Sequence, residues 1–209
     1  MNDDQGPATF CEGKQLSLRC AQITAAAIAL LSEGGTTALT IKNLAKAVGV
    51  SEPALYRHFE NKQGIFLAIL DRLEAHILGL FEEAVKRQAG VLDQIQAVYT
   101  GLFRSFARQP ELASVIFAEE LFRHDKRLAE RVAQIIDTAQ GRMIRLLRSR
   151  KGRSEVRNDV PAKDLALVVT GASRYLVTRW RLSGYAFDLD KEGKALSRSL
   201  RRMISAPAM

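Results

Sequence analysis

Two short segments of the sequence carry side chains that could contact nucleic acid. The first segment is Ser51-Glu52-Pro53-Ala54. The methyl group of Ala54 could contact a thymine methyl, and the carboxylate of Glu52 could accept a hydrogen bond from cytosine N4. An acidic residue is also favourable at a helix N-terminus, and we prefer this interpretation of Glu52. In the second segment, which lies upstream, the side chains of Thr40 and Lys42 could bind flanking phosphates.

Catalytic or metal-binding chemistry finds little support in the sequence. A di-metal helical bundle needs Glu-x-x-His pairs, and none of the three histidines follows a glutamate by three residues. Zinc-ligand spacing, a phosphate-binding loop and a cysteine-nucleophile motif are also missing from the sequence. We therefore expect no enzyme activity, no metal and no cofactor.

The charge of the chain is unevenly distributed. The formal net charge is +8, but residues 1–62 hold six Lys/Arg and six Asp/Glu, and seven bases with one acid lie between Arg142 and Arg157. The global charge is therefore poor evidence for DNA binding. For the basic run we prefer a solvated helix end, where cations suit the C-terminal dipole. A non-specific DNA contact and a contact with an acidic partner remain alternatives.

The compartment is indicated by what the sequence lacks. No apolar run approaches the roughly 18 residues that span a membrane, and residues 1–14 lack the apolar stretch of a secretory signal. Cys11 and Cys20 stand without a disulfide framework, which is typical of a reduced chain. We expect a cytoplasmic protein that makes no membrane contact and has a flexible leader over residues 1–14.

Apolar residues recur with helical spacing along most of the chain, and no segment is a convincing strand. The pattern predicts an all-α fold with an N-terminal three-helix helix-turn-helix domain at 15–62 and a larger helical domain at 63–209. The segment 151–159, polar and basic, is the clearest predicted loop. About nine helices are predicted, over residues 16–31, 40–48, 52–59, 62–87, 91–108, 111–122, 125–150, 161–182 and 190–204.

The second and third predicted helices are joined by a tight turn, Val48-Gly49-Val50-Ser51. Gly49 permits a left-handed backbone, and Ser51 and Thr40 are good N-caps for the helices that follow them. This is helix-turn-helix geometry, in which the N-terminal residues of the second helix lie against base edges in the major groove.

The run from Leu39 to Lys62 closely resembles the signature of the tetracycline-repressor (TetR, AcrR-type) family of transcriptional regulators. Leu-Tyr-Arg-His-Phe at 55–59, at this offset from Gly-Val-Ser at 49–51, is the most specific part, and the likeness is dense over about residues 16–75. It implies a homodimeric repressor that binds palindromic operator DNA and is released by an unknown small-molecule effector. It also implies that Tyr56, His58 and Lys62 contact phosphates.

Alternatives remain for individual residues of this signature. Arg57 could contact either a base or the backbone, and Tyr56 and His58 could instead pack against the fourth helix. The alternative function is a DNA-binding protein of this fold that acts without an effector, by organising DNA or recruiting another protein.

For the larger domain the resemblance implies dimerisation through the last two long helices. It also implies that the turn within the basic run from Arg142 to Arg157 lies at the end remote from the operator, which disfavours direct DNA contact by that run. The helix at 161–182 is apolar on two faces, whereas a monomer needs one buried stripe. Its second face carries Leu167, Gly171, Tyr175 and Leu182. The candidate dimer contacts are Leu165, Val169, Ala172, Leu176, Trp180, Leu196, Leu200 and Met203.

An effector pocket is expected among the fourth to eighth helices. Aromatic residues at helical spacing are more often core than ligand contacts, and an arginine within an apolar helix could form a salt bridge as readily as bind an acidic effector. The candidate pocket residues are Tyr99, Phe103, Phe106, Phe117, Phe122, Arg174 and Tyr175.

Overall fold

A computed structural model describes residues 14–87, 89–116 and 125–207 of the chain. Within these ranges the regular elements are α-helices, and one isolated bridge joins Val156 to Ser205. The all-α prediction is confirmed. The helices are α1 (Lys14–Ala38), α2 (Ile41–Val48), α3 (Glu52–Tyr56), α4 (Lys62–Lys86), α5 (Val91–Arg108), α6 (Pro110–Ile116), α7 (Lys126–Leu147), α8 (Gly152–Glu155), α9 (Ala162–Leu182) and α10 (Leu189–Ile204).

The chain divides into two compact units, the first ending at Asp71 and the second beginning at Arg72. In the first unit, α1 buries the stripe that the sequence predicts, including Ile23 and Ala27, and it packs on α2. Gly34 and Gly35 have non-helical backbone angles, so α1 is interrupted where the sequence predicts its end.

In the second unit, α5 packs along α10, and α9 packs on both α7 and α10. The α5–α10 contact is close because Gly193 lies against the ring of Phe103, where a Cβ atom would come within 2.4 Å of the ring. Several helices begin at a side-chain cap: the Oδ1 atoms of Asp125 and Asp188 accept hydrogen bonds from the backbone N–H groups of Leu128 and Lys191, respectively.

The short helix α8 lies in a segment that we predicted to be a loop. The Oγ atom of Ser149 accepts a hydrogen bond from the N–H of Gly152, at 3.1 Å. Gly152 is buried so tightly that a Cβ atom would lie 2.3 Å from the carbonyl oxygen of Leu147. The C-terminal segment then joins α8, because Ala206 N–H donates to the carbonyl of Glu155 at 2.8 Å.

Two further expectations concern membranes and cysteines. Among the residues described, no helix is both long enough and apolar enough to cross a membrane. Cys20 is buried and disulfide-bonded, so the expectation of reduced cysteines is wrong for this residue. Cys11 and most of the proposed leader at 1–14 lie outside the described residues.

Candidate nucleic-acid interface

The turn between α2 and α3 has the geometry that a helix-turn-helix requires. Gly49 ends α2 in the left-handed region, at φ 72° and ψ 39°. Its N–H donates to the carbonyl of Lys46 at 3.3 Å, and Val50 N–H donates to the carbonyl of Ala45 at 3.0 Å. The last carbonyls of α2 are thereby satisfied, and the chain is redirected into α3.

Both helices of the motif begin at a hydroxyl cap. Thr40 Oγ1 accepts from the N–H of Asn43 at 3.0 Å, and Ser51 Oγ accepts from the N–H of Ala54 at 3.4 Å. Both caps are exposed, and each hydroxyl keeps its own proton while it accepts. Thr40 and Ser51 can therefore cap a helix and donate to a phosphate at the same time.

The residues of α3 divide cleanly between core and surface. Leu55 and Phe59 are buried, as the sequence predicts. Tyr56 is 51% exposed, so it is not buried in the core of this unit as Leu55 and Phe59 are. The remaining candidates at the start of the motif are exposed, apart from Ala54, which is half-buried: Lys42, Glu52, Pro53 and Arg57.

His58 and Lys62 are more enclosed than their neighbours. His58 is half-buried, and its Nδ1 atom is sealed from solvent without a hydrogen-bond partner, so Nε2 is the ring atom that can reach a phosphate. Lys62 is the first residue of α4, with its Nζ atom 5.9 Å from the ring centroid of Phe66. Asn61 Oδ1 accepts from Gly64 N–H at 2.9 Å and caps this helix. The helix N-terminus adds its own attraction for phosphate.

The local charge of the motif differs from that of the whole first unit. Residues 39–62 hold four bases and two acids, although residues 1–62 are formally neutral. Among the bases, Lys42, Lys46 and Arg57 are exposed. The exposed hydroxyls of Thr40 and Ser51, the three exposed cations and the N-terminus of α4 are groups of the kind that bind a phosphate backbone, and the start of α3 is exposed as contact with base edges requires.

The sequence analysis missed the role of Asn43. Its Nδ2 atom donates to the carbonyl of Ala38 at 2.9 Å, which ties α2 to the end of α1. The position of Asn43 three residues after the Thr40 cap indicated only that its backbone N–H would be capped. The side-chain contact depends on the path that the chain takes from the break at Gly34 and Gly35 to Ala38, and residue types alone do not predict that path.

The structure separates the candidate pocket residues into different environments. Tyr99, Phe103 and Phe106 on α5 are buried. The Tyr99 hydroxyl lies 2.9 Å from Thr170 Oγ1, and burial raises the pKa of Tyr99 to about 12, with the hydrogen bond to Thr170 opposing the shift. Arg174 is half-buried on α9. Tyr175 is 66% exposed and therefore faces solvent rather than a pocket, while Phe117 and Phe122 lie outside the described residues.

A small cavity lies where α5, α9 and α10 meet. Its volume is about 10 Å³, and Tyr99, Val169 and Ser197 are among the residues that line it. That volume holds about one water molecule, whereas pockets for drug-sized ligands have roughly 300–1,000 Å³. The Oγ atom of Ser197 is buried without a hydrogen-bond partner in the described structure, so a water there would satisfy it.

The candidate dimer contacts also divide. Four of them are at most 5% exposed within the single chain and pack in its own core: Leu165, Val169, Trp180 and Leu200. Ala172, Leu176 and Leu196 are half-buried, and Met203 is 57% exposed. The surface that α9 presents is its second face, because Leu167, Val168, Tyr175 and Leu182 are exposed. Four of the eight candidate dimer contacts therefore pack within the protomer, namely Leu165, Val169, Trp180 and Leu200.

Known proteins resemble this chain in sequence. Residues 23–69 match the family described as bacterial regulatory proteins, tetR family. The nucleoid occlusion factor SlmA of Haemophilus influenzae (strain PittGG) is 30% identical over 159 residues, which cover 74% of this chain and 73% of the relative. SlmA of Vibrio cholerae serotype O1 is 28% identical over 174 residues, covering 83% and 89% of the two chains.

Solved structures of regulators share the fold. FadR from Bacillus subtilis, solved in complex with stearoyl-CoA, matches with a TM-score of 0.77 at 21% identity, over 88% of this chain and 98% of that one. The fatty acid degradation regulator FadR from Bacillus halodurans matches with a TM-score of 0.75 at 18% identity, over 88% and 94%. These identities establish the fold alone, whereas the relatives in sequence establish the family. The chain belongs to the tetR family of bacterial regulatory proteins and is a DNA-binding transcriptional regulator.

Proposed function

We propose that this protein is a homodimeric repressor that binds a palindromic operator and is released by a small-molecule effector. The observation that carries the proposal is the pair of capped helices on either side of Gly49, with the N-terminal residues of α3 exposed. A twofold dimer presents two such helices, and a palindromic site mirrors that symmetry. We place this activity in the cytoplasm, where operator DNA is accessible.

Within this proposal each candidate residue has a role set by its environment. Residues 51–54 face base edges, while Tyr56, Lys62 and His58 Nε2 donate to phosphates. Thr40 and Lys42 bind the flanking phosphates. Arg57 is exposed and long enough to contact a base or the backbone.

The second face of α9 supports dimerisation. Leu167, Tyr175 and Leu182 recur along one side of the helix and are exposed, and Leu182 is 84% exposed in the single chain. Contiguous exposed apolar surface marks an interaction site, and an isologous dimer interface uses the same patch on both subunits. We therefore assign the dimer contact to this face together with Met203, in place of the buried stripe.

Effector release is a population shift in this proposal. The effector prefers a dimer whose α3 helices no longer match the spacing of roughly 34 Å between successive major grooves. The cavity lined by Tyr99, Val169 and Ser197, about 10 Å³, is too small for such a ligand, so binding at that place requires the second unit to rearrange. Stearoyl-CoA, the ligand of the B. subtilis FadR structure, is a reasonable first probe.

A second candidate is a regulator of this fold that acts without an effector. The similarity to relatives named nucleoid occlusion factors favours it. Thermal unfolding separates the two candidates, because a ligand at 100 times its Kd stabilises the native state by about 2.7 kcal/mol. A higher melting temperature with stearoyl-CoA or another probe supports effector control, whereas no shift across a broad metabolite set supports the second candidate.

Selection of bound duplexes from a random pool tests the operator proposal. Wild-type protein should enrich a palindromic motif, and the double variant Tyr56→Ala, Lys62→Ala should lose it. Lys191→Ala is the matched control, since Lys191 is an exposed lysine of the second unit. Failure of folded wild-type protein to enrich any sequence would overturn the proposal.

A further inference from the structure

Five arginines at the end of α7, in the following turn and in α8 form a basic surface that the proposed function does not use. Arg145, Arg148, Arg150 and Arg153 are exposed, and Arg142 is half-buried. Within the described residues none of the five forms an ion pair. We call these five residues the arginine patch.

The nearby acids are engaged elsewhere. Glu155 is the one acid between Arg142 and Arg157, and its Oε2 atom accepts from the N–H of Leu92 at 3.1 Å. Asp159 pairs with Arg157 through two hydrogen bonds of 2.7 and 2.6 Å. Arg157 also lowers the pKa of the Asp159 carboxyl through these bonds, and it donates a further hydrogen bond to the carbonyl of Met203 at 3.2 Å. Neither of these two acids pairs with the arginine patch.

A solvated helix end, our first interpretation of this run, explains part of the patch. The C-terminal dipole of α7 attracts cations only within the last turn of the helix. Arg145 lies in that turn, and Arg148 is the C-cap residue that follows it. Arg150 and Arg153 lie beyond that turn, and close like charges repel one another at a cost to folding. An external anion would offset that repulsion.

The chemistry of the patch favours phosphate over an acidic protein. Guanidinium groups bind phosphate oxygens in bidentate fashion. A protein partner would also need an apolar or aromatic anchor at the centre of the contact. No large apolar side chain from 142 to 157 is exposed: Met143, Leu147 and Val156 are buried, and Ile144 and Leu146 are half-buried.

We propose that the arginine patch is a second, sequence-independent contact for the phosphate backbone of duplex DNA. It goes beyond operator recognition by α3 and does not depend on it. The patch raises the affinity of the protein for any duplex, and its contribution falls as salt rises, because each phosphate contact releases condensed counterions.

The test measures binding of the full-length protein to a duplex without an operator across a salt series. The variant Arg145→Gln, Arg148→Gln, Arg150→Gln, Arg153→Gln removes the exposed charges but keeps polar side chains of similar length. The charge-matched control is Lys126→Gln, Arg127→Gln, Arg179→Gln, Lys191→Gln, whose positions are exposed and lie near other helix ends. Arg127 lies 18 residues before Arg145 on α7, about 27 Å along the helix axis.

The patch variant should bind the non-specific duplex at least tenfold more weakly than the control variant at low salt. Its slope of log K against log salt should be smaller in magnitude by about 0.9 for each phosphate that the variant no longer neutralises. If the fourfold variant fails to fold, the single change Arg150→Gln should still lower the slope by about 0.9. Equal slopes for the patch variant and the charge-matched control would overturn the proposal.

Two further arms separate this site from the helix-turn-helix and from a protein partner. The double variant Tyr56→Ala, Lys62→Ala should lose operator selectivity but keep the non-specific binding that depends on the patch, so failure of one proposal is distinguishable from failure of the other. Poly-glutamate is the probe for an acidic polypeptide. Patch-dependent binding of poly-glutamate without patch-dependent binding of duplex would overturn the assignment to DNA.

Discussion

The Oε2 atom of Glu155 lies 3.1 Å from the backbone nitrogen of Leu92, so a side chain of α8 caps the first turn of α5. The N-cap position of α5 is Gly90, which has no side chain to supply this bond. A Cβ atom on Gly90 would lie 2.6 Å from that same carboxylate. The glycine and the glutamate are therefore two parts of one capping arrangement made by residues distant in sequence.

We expect Gly90→Ala and Glu155→Ala to destabilise the protein by similar amounts, about 0.5–2 kcal/mol each, because either change removes the cap. The double variant should be no less stable than the worse single variant, since the same cap cannot be removed twice. Urea unfolding of the four proteins measures this cycle. Strictly additive losses would show that the two residues act independently.

Gly49 should be intolerant of a side chain for reasons of backbone strain alone. A Cβ atom there would meet nothing within 4 Å, but the residue sits at φ 72°. Gly49→Ala should cost about 1–2 kcal/mol and weaken DNA binding, and Gly49→Asn should cost less. Gly141→Ala is the control, because its Cβ would also meet nothing within 4 Å but it lies inside α7.

The control should gain up to about 1 kcal/mol of stability, since alanine replaces glycine in a helix interior. Chemical denaturation should therefore show that Gly49→Ala is less stable than wild type and that Gly141→Ala is more stable. A Gly49→Ala protein as stable as wild type would contradict the left-handed turn.

Tyr99 should make the stability of the fold fall at alkaline pH. Burial raises its pKa from 10.0 to about 12, so between these values the unfolded chain has lost the phenolic proton while the folded chain retains it. Deprotonation therefore favours the unfolded state as pH rises through this window. The stability of wild type relative to Tyr99→Phe should drop by about 2 kcal/mol from pH 10 to pH 12.

Urea unfolding of both proteins at several pH values measures this difference. Because other groups titrate equally in the two proteins, the subtraction isolates Tyr99. A difference that stays constant across the window would contradict burial of the neutral phenol.

The exposed face of α9 should control the oligomeric state. Tyr175→Glu places a charge on the proposed dimer contact, where it would be buried without a partner, so we expect a monomer. Val85→Glu is the control, since Val85 is also an exposed apolar residue but lies on α4. Sedimentation should give a dimer for wild type and Val85→Glu; a dimer that persists in Tyr175→Glu would reject this face.

Local sequence signals account for most of the fold. The bounds of α5 agree with the prediction of 91–108 because Gly90 and Gln109-Pro110 mark both ends in the sequence. The α2–α3 turn also follows from local signals, namely Thr40, Gly49 and Ser51. Caps and left-handed glycines act within a few residues, which is why the sequence predicts them.

Features that depend on distant contacts were not predictable in this way. Helix α8 is joined to the C-terminus and to the start of α5, and no neighbouring residue indicates either contact. The helix α3 ends at Tyr56, three residues before the predicted end at Phe59. Both faces of α9 are apolar, so the sequence could not say which one the protomer buries. Trp180 was predicted to be a dimer contact and Tyr175 a pocket residue, whereas Trp180 is buried in the protomer and Tyr175 is exposed.

The most direct test of the account is a hydroxyl-radical footprint of wild-type protein on a duplex recovered by selection. We predict two protected segments related by twofold symmetry, with centres about one helical turn, roughly 34 Å, or a multiple of it apart. Both segments should disappear together with the Tyr56→Ala, Lys62→Ala variant. A single protected segment, or protection that survives this variant unchanged, would contradict the account of a dimer that reads DNA through the N-terminus of α3.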